Sequence, residues 1–361
     1  MRIAVLSNAY PPKMQGGAGN IAFEYSKALE QSGHEVKVFG PDEIFHLLSR
    51  LPPLARLSFH LHDLKPRKKI VDEILAWKPD VLISHNLTGC GFGTPRAVQK
   101  SGVRWLHVLH DVQLFEPSGQ IIYAEKFVFM RKIWRSFWAS LRRKSLGAPD
   151  VVISPTKWLM QEHKKFGFFK QTKNQILPNP VEPAVESVNS ARDSRKILYV
   201  GRLDSDKGID VLLAAWPRIK EATSSWVVIG AGQRLDYLHS LNDPKIEARG
   251  AMPRDKVLEE MQRCGVLVLP SLVMENQPTV ILEALANGCK VVAADVGGVR
   301  ETLGSAGWIF TPGSAQEFSK SILQALQDTD AKREMAASEI LRLHDPKVFV
   351  SCLAGLLKSN L

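Results

Sequence analysis

The sequence predicts an α/β protein made of two doubly wound parallel sheets that follow one another along the chain. Three observations support this prediction. The 361 residues exceed one ordinary core and suit two domains of about 150 to 200 residues each. Short apolar runs alternate with helical patterns in both halves, and a polar segment separates the halves. The composition, 45% hydrophobic and 23% charged, excludes a collagenous or largely disordered chain.

The first half opens with a β-α-β pattern. An apolar run at Ile3–Ser7 predicts a strand, and the breaker-rich segment Tyr10–Gly19 leads into a helical pattern. That helix stops at Gly33, and a second strand follows at Glu35–Phe39. Intervals long enough for crossover helices separate the next predicted strands, which are Val81–Ser84, Trp105–Leu109 and Val151–Ser154. We therefore assign residues 1–180 to a first domain.

The second half repeats this alternation after the polar segment Val181–Lys196, which we interpret as a linker. Helical stretches such as Gly208–Glu221 and Thr279–Asn287 separate its strands. The predicted strands are Ile197–Val200, Trp226–Ile229, Ile246–Arg249, Gly265–Leu269, Lys290–Ala294 and Trp308–Phe310. Residues 181–345 form the second domain and 346–361 a final helix. Because parallel sheets bind ligands at the carboxyl ends of their strands, we expect a site that draws on both domains.

The charge is distributed unevenly between the two halves. Residues 1–180 hold 26 basic and 14 acidic residues, whereas the remainder holds 21 and 23. The basic half is expected to meet an anionic partner such as a membrane surface, a phosphorylated acceptor or nucleic acid. No apolar run reaches the roughly 18 residues of a membrane span, and the start lacks the pattern of a signal peptide, so we expect a cytoplasmic protein. We interpret the four widely spaced cysteines as small buried residues.

The pattern of the segment Pro270–Gly288 predicts the end of a strand, a turn and then an amphipathic helix. If the helix starts near Pro278, the amides of Thr279 and Val280 are unpaired donors suited to phosphate oxygens. Glu283, farther along the helix, could accept hydrogen bonds from a vicinal diol such as a ribose. The alternative is a surface helix whose acids merely favour its positive end.

A second segment, Tyr199–Gly208, also runs from a strand through a loop into a helix. Arg202 and Lys207 place two cations at the rim of the crevice, which matches the charge of a diphosphate and can replace a metal ion. A solvated loop of salt-bridged charges is the alternative. Asp204-Ser-Asp206 looks like a metal motif, but it lies between those two cations, so we predict no metal site. We interpret His60-Leu-His62-Asp63 as a solvated loop.

These two segments resemble the retaining nucleotide-sugar glycosyltransferases of family 4, which have the GT-B fold. The resemblance is carried by Gly201-Arg-Leu, Lys207-Gly and the glutamates Glu275 and Glu283. It extends over most of the chain through Pro11-Pro12, Gly16-Gly17, Pro79-Asp-Val, His85-Asn86, His110-Asp111, Ser154, Thr156 and Pro178-Asn-Pro. It implies two Rossmann-like domains that face one another across a central cleft. The first would bind the acceptor, the second the nucleotide sugar, and the final helix would cross back to the first domain.

The resemblance also implies roles for individual residues. Arg202 and Lys207 would hold the donor diphosphate and stabilise the charge that develops on it. Glu283 would hold the ribose, and Glu275 would lie by the donor sugar hydroxyls, which His110 would face from the first domain. The remaining implied donor-binding residues are Gly16 and Gly17 at the diphosphate, Met252 at the base, and Asn276, Thr279 and Val280. Pro278 stands where many members have glycine, so donor contact must begin at Thr279.

The reaction implied is transfer with retention, without a metal, a cofactor or a protein nucleophile. A UDP-sugar is the first candidate donor and a GDP-sugar the second, and the acceptor is a saccharide or a lipid-linked saccharide in cell-surface polysaccharide or glycolipid synthesis. One alternative is a GT-B nucleotide-sugar epimerase. Another is a basic nucleic-acid-binding protein, supported by the pI of about 9.4; the sequence shows no nucleic-acid recognition module, so we expect no such partner.

The segment Tyr123–Lys144 mixes aromatic and basic residues at helical spacing. Such a helix can rest on an anionic membrane, which would place the protein peripherally on the inner face of the cytoplasmic membrane. Alternatively, its aromatic side packs on the sheet and its basic side is merely solvated. The sequence leaves both alternatives open.

Overall fold

The structure is a computed structural model that describes residues 1–12, 17–41, 51–182, 192–329 and 331–358, with the side chain of residue 332 excepted. The chain divides into two compact units. The first unit comprises Met1–Ile121, Glu125–Asn179 and Phe349–Leu361, and the second comprises Ile122–Ala124 and Pro180–Val348.

The first unit contains a parallel sheet of six strands in the order β2-β1-β3-β4-β5-β6. The strands are β1 Arg2–Leu6, β2 Glu35–Phe39, β3 Val81–Ser84, β4 Arg104–Val108, β5 Val151–Ser154 and β6 Lys173–Ile176. The helices in its part of the chain are α1 Gly17–Gln31, α2 Pro53–His62, α3 Lys68–Ala76, α4 Thr94–Gln99, α5 Val128–Leu146 and α6 Lys157–Lys165. Both faces of the central strands are buried, as expected for a doubly wound sheet.

One apolar face of this sheet is completed by the far end of the chain. Helix α14, Pro346–Lys358, buries Phe349 and Leu353 in the cluster that contains Ile3 and Tyr25. The ring of Phe349 meets that of Tyr25 edge to face at 4.7 Å. Because each such side chain contributes about 1.5 to 3 kcal/mol when buried, α14 is an integral part of the first core.

The second unit contains another parallel sheet of six strands, in the order β12-β11-β10-β7-β8-β9. The strands are β7 Asp193–Val200, β8 Trp226–Ile229, β9 Ile246–Ala248, β10 Cys264–Leu269, β11 Lys290–Ala294 and β12 Trp308–Phe310. The helices are α7 Ile209–Ile219, α8 Leu235–Ser240, α9 Arg254–Arg263, α10 Thr279–Ala286, α11 Val299–Leu303, α12 Ala315–Gln327 and α13 Ala331–Leu343. The predicted pair of parallel α/β sheets is therefore confirmed.

Several local predictions are wrong. Strand β7 begins at Asp193, inside the predicted linker Val181–Lys196, of which residues 183–191 lie outside the described residues. The predicted helix Tyr123–Lys144 starts at Val128, because Ile122 forms an antiparallel bridge with Val273. Of the four cysteines, Cys352 is exposed and the other three are buried.

The predicted loop around Asp63 is instead the end of a helix and a buried turn. Residues 53–62 form α2, and the Asp63 carboxylate is fully buried. It accepts hydrogen bonds from the amides of Gly89 at 2.7 Å and Gly91 at 3.1 Å, and Arg67 pairs with it at 3.3 Å. Asp63 thus anchors the loop that follows β3.

Helix α5 does not divide into an aromatic inner side and a solvated basic side. Two of its arginines, Arg135 and Arg142, are buried together with Trp138. Arg135 pairs with Glu116 at 2.9 Å, and the Arg142 guanidinium lies over the Trp138 ring. The first turns of the helix expose apolar side chains instead, which are Phe127, Val128, Phe129, Met130, Ile133, Trp134 and Phe137.

Candidate active site

In the second unit, the loops that follow the neighbouring strands β7 and β10 touch each other. Gly208 has φ of 76° and lies so close to Pro270 that a Cβ atom there would overlap the Pro270 carbonyl oxygen. The amide of Leu272 donates to the carbonyl oxygen of Asp206 at 2.9 Å. A glycine is needed at position 208 because other residues adopt this φ at a cost and would collide with Pro270. The loop that carries Lys207 is thereby fixed against the loop that carries Glu275.

Lys207 and Glu275 form the centre of this contact. The Lys207 Nζ lies 2.7 Å from the Glu275 Oε1, and the Ser271 hydroxyl donates to the same oxygen at 2.8 Å. Both charged side chains are largely buried but reach solvent. The pair can therefore present a cation and a carboxylate to the oxygens and hydroxyls of one ligand.

The main chain of Glu275 is held by a third loop. Gly298 donates its amide to the Glu275 carbonyl oxygen at 2.7 Å, and Gly297 approaches the same oxygen so closely that a Cβ would overlap it. Because these contacts fix the main chain of Glu275, the residue is positioned before any ligand arrives.

Helix α10 begins at Thr279, directly after this turn, with Pro278 as its N-cap. The first turn bond runs from the amide of Ile281 to the carbonyl of Pro278 at 3.0 Å. The amides of Thr279 and Val280 precede it at the positive end of the helix dipole, where an anion is favoured. Asn276 lies half-buried in the turn before the helix.

Glu283 lies on the same helix and pairs with Arg254 at 2.9 Å. Burial raises the pKa of the Glu283 carboxyl, and the nearby Arg254 guanidinium opposes that rise. A ribose diol would have to share this carboxylate with Arg254 or displace it.

Arg202 is held by two neighbouring carboxylates. Its guanidinium contacts Asp204 and, at 2.7 Å, Asp206, and its side chain is 51% exposed. Both acids stand where the sequence suggested a metal motif, but they neutralise the cation beside them. A diphosphate would therefore compete with Asp204 and Asp206 for Arg202.

Met252 lies farther along the same sheet edge. It follows β9 and is half-buried against the core of the second unit. In the sheet, β8 lies between β9 and β7. The turn before it is fixed by a hydrogen bond from the amide of Gly230 to the carbonyl of Gly250 at 2.8 Å.

The remaining predicted residues belong to the first unit. His110 follows β4, and its Nε2 lies 2.8 Å from the Nδ1 of the buried His85. Burial lowers the pKa of His110 to about 4 and that of His85 well below its ordinary value, so both rings are neutral at pH 7. His110 can therefore exchange a hydrogen bond with a sugar hydroxyl but carries no charge to it. His107 is bound elsewhere, at 2.9 Å from the Ser84 hydroxyl.

Gly17 begins α1 and is exposed, with no atom within 4 Å of the position that a Cβ would take. Gly16 lies outside the described residues. The structure thus gathers Arg202, Lys207 and Glu275 in the second unit, with the start of α10 next to them, and holds Gly17 and His110 in the first.

Sequence reasoning missed the partners of these side chains. Arg254 and Ser271 contact Glu283 and Glu275 respectively, and Asp206 contacts Arg202. The position of Asp206 only four residues after Arg202, in the same loop, was a usable signal for this pair. Arg254 is 29 residues from Glu283, and no sequence pattern links the two.

Across the described ranges, no group of three or more His, Cys, Asp or Glu residues is placed to hold a metal ion. No helix of that same part of the chain combines the length and apolarity needed to cross a bilayer.

Both the sequence and the fold of this chain are similar to those of known proteins. The family model "Glycosyltransferase Family 4" matches residues 15–185, and "Glycosyl transferases group 1" matches residues 194–328. The chain is 26% identical over 332 residues to an uncharacterized 42.6 kDa protein in the cps region of Klebsiella pneumoniae, which covers 83% of this chain and 87% of that protein. It is 24% identical over 309 residues to the lipopolysaccharide 1,2-N-acetylglucosaminetransferase of Salmonella typhimurium, at coverages of 80% and 72%. Anabaena HepE in complex with UDP has a TM-score of 0.69 and 18% identity, with both chains fully covered.

The two parallel sheets and these matches define a GT-B glycosyltransferase. Within that class, the chain belongs to glycosyltransferase family 4.

Proposed function

We propose that this glycosyltransferase moves a sugar from a nucleotide diphosphate sugar, with UDP-sugar as the first candidate and GDP-sugar as the second, onto a saccharide or lipid-linked acceptor. The observation that carries the proposal is the fixed contact between Lys207 and Glu275 at 2.7 Å, beside the start of α10. The UDP bound to the structurally similar HepE supports the choice of donor. The Klebsiella cps-region protein and the Salmonella lipopolysaccharide enzyme support an acceptor of cell-surface polysaccharide or glycolipid synthesis.

The proposed chemistry uses fixed cations rather than a divalent ion. Lys207, Arg202 and the amides of Thr279 and Val280 would neutralise the diphosphate as the bond to the sugar breaks. The new bond forms on the same face of the sugar, and the departing phosphate oxygen takes the acceptor proton, so the configuration is retained. Glu283 would hold the ribose, and Glu275 and the neutral His110 would hold the donor sugar.

A thermal-shift screen with UDP-, GDP- and ADP-sugars, each with and without EDTA, tests the donor site. We expect one nucleotide to raise the melting temperature by the same amount in both conditions, since ligand binding stabilises the folded state. Lys207→Ala should remove most of that rise, whereas Lys256→Ala, which removes a surface lysine of the same unit, should keep it. Loss of the rise in EDTA, or an unchanged rise in Lys207→Ala, would contradict the proposal.

The products separate transfer from the epimerase alternative. With a donor labelled in the sugar, a transferase delivers the label to the acceptor, whereas an epimerase frees it. The anomeric configuration of the linkage, read by NMR, tests retention directly, and inversion would refute that part of the proposal.

We also propose that the protein contacts an anionic membrane peripherally, from the inner face of the cytoplasmic membrane. Support comes from Phe127, Val128, Phe129 and Met130, which are 63% to 75% exposed, and from the exposed Lys132 on the same helix. Liposome flotation should show binding to anionic vesicles that Phe127→Ser/Phe129→Ser abolishes. Met335→Ser, which changes an equally exposed residue of the second unit, is the control. Absence of wild-type binding to anionic vesicles would reject membrane contact.

A further inference from the structure

The first unit contains a cavity of about 790 Å³ whose lining is chemically divided. One part is polar and half-buried or buried, and comes from the loops after β3 and β4, chiefly Asn86, Asp111 and Gln113. The other part comes from α2 and α5 and is mainly apolar, chiefly Leu54 and Trp134, and α2 also contributes Arg56 and His60 to it. A lining of this kind fits a ligand with one polar and one apolar end.

Asp111 is the fixed acceptor of the polar part. Its Oδ1 accepts the amide of Gln113 at 2.7 Å, and its Oδ2 accepts the side-chain amide of Asn86 at 3.0 Å. Gln113 is itself fixed, because its Oε1 accepts the amides of Leu87 and Thr88 at 3.1 and 3.2 Å. Each carboxylate oxygen keeps acceptor capacity beyond one hydrogen bond. Such a rigid carboxylate suits the hydroxyls of a sugar ring.

An indole forms part of the wall of the same cavity. Trp134 lines the cavity, remains 44% exposed and packs edge to face on the buried Trp138 at 5.6 Å. A partly exposed indole held from behind offers its apolar surface to the C–H face of a sugar ring without losing much side-chain entropy.

The margin of the cavity carries exposed apolar side chains. Helix α2 buries none of its own residues, and Leu54, which lines the cavity, is 81% exposed. Ile133 and Phe137, the neighbours of Trp134 on α5, are also exposed. A free saccharide would leave these apolar side chains in water, whereas an alkyl chain attached to a saccharide would bury them.

We infer that this cavity binds the carbohydrate end of an amphiphilic saccharide, with Asp111 and Asn86 at its hydroxyls, Trp134 at its ring, and Leu54 along its apolar chain. Naming this ligand as the acceptor, and therefore as lipid-linked rather than free, rests on the proposed function.

Calorimetric titration of the full-length protein tests the inference with three probes. They are n-dodecyl β-D-maltoside below its micelle concentration, maltose, and dodecyldimethylamine oxide, which has the chain without the sugar. The maltoside should bind at least about tenfold more tightly than either of the others, because it uses both parts of the lining. Equal binding of maltose, or of the amine oxide, would overturn the inference.

Variants assign the binding to the cavity. Asp111→Asn should weaken maltoside binding by about tenfold, the usual effect of removing a hydrogen bond to a charged group. Leu54→Ser should remove the advantage of the maltoside over maltose, and Trp134→Ala should weaken both sugars. Met335→Ser is the matched exposed control. Unchanged maltoside binding in Asp111→Asn and Trp134→Ala would overturn the assignment.

The nucleotide response of the same variants separates this inference from the proposed function. A UDP-induced rise in melting temperature shows that a variant is folded and that the donor site works. If UDP stabilises the protein but the maltoside has no preference, the cavity inference fails alone. If the maltoside binds as expected and no nucleotide stabilises the protein, the proposed function fails and the cavity remains an amphiphile site.

Discussion

Replacing Asp206 by asparagine should tighten the binding of UDP. Asp206 holds the guanidinium of Arg202 at 2.7 Å, and the diphosphate must compete for that cation. Asn keeps the size of the side chain, and the loop is retained because the Asp206 main-chain oxygen, not its carboxylate, accepts the amide of Leu272. Asp204 is a poorer choice, since its carboxylate also accepts the amide of Gln233.

The size of the effect follows from the exposure of the pair. The Arg202 side chain is 51% exposed, so the ion pair is screened and contributes about 0.2 to 1 kcal/mol. Releasing Arg202 should therefore lower the dissociation constant of UDP by about 1.5- to 5-fold. Part of the gain comes from removing a negative charge that repels the diphosphate.

Isothermal titration with UDP at low ionic strength measures this change. The gain should shrink at high salt, since screening weakens exposed charge interactions. Glu334→Gln, which removes one exposed negative charge from α13, controls for the overall charge and should leave the affinity unchanged. Weaker or unaltered UDP binding by Asp206→Asn would refute the view that Arg202 is shared between its own acids and the donor.

Three further predictions address the donor site and the cores. Burial raises the pKa of the Glu283 carboxyl, and only its ionised form accepts hydrogen bonds from both ribose hydroxyls, so UDP affinity should fall as the pH is lowered. Arg254→Ala removes the cation that opposes this rise and should shift the loss of affinity to higher pH. A pH profile of UDP affinity that does not change in Arg254→Ala would argue against the role of Glu283. Gly208→Ala should destabilise the protein by more than Gly102→Ala, for which we expect roughly 1 kcal/mol. The two glycines have similar φ, but a methyl group at position 208 overlaps Pro270, whereas the space around Gly102 is open. Urea unfolding of both variants measures the difference, and equal losses of unfolding free energy would contradict the prediction. Leu353→Ala should lower the free energy of unfolding by about 2 to 5 kcal/mol, as other large-to-small core changes do. Val348→Ala, at an exposed position of the same helix, should lower it far less. A small loss of unfolding free energy in Leu353→Ala would show that α14 is dispensable for the first core.

The central strands could be predicted from sequence because burial on both faces leaves a distinctive pattern. Val81–Ser84, Val151–Ser154 and Trp226–Ile229 are short apolar runs, and their predicted bounds are those observed. The edge strand Lys173–Ile176 was missed because its sequence is mostly polar, as is usual where one side of a strand lacks a neighbour.

Buried charges were the main failure of sequence reasoning. Asp63, Arg135 and Arg142 have the composition of a solvated surface, yet all three are buried. A charged residue can be buried only where partners compensate it. Most of the partners here lie 10 or more residues away, as Gly89 does from Asp63 and Glu116 from Arg135, although Arg67 is only four residues from Asp63. The bridge from Ile122 to Val273 is non-local too, and the aromatic helix begins only after it, at Val128 rather than at the predicted Tyr123.

For the candidate site, the sequence indicated the types of residue and their loops, but not the pairs that they form. Lys207 and Glu275 meet because β7 and β10 are neighbours in the sheet, although 68 residues separate them in sequence. The roles assigned to the donor-binding residues stay predictions until a nucleotide is bound.

The packing of α14 has a consequence for how the protein is made. Ile3 and Leu353 share one apolar cluster, so this face of the first sheet cannot be covered until α14 has left the ribosome. The second unit, whose residues are synthesised earlier than α14, can fold first. Nascent chains that stop before position 349 should therefore protect the second sheet from proteolysis while leaving the first sheet open to attack.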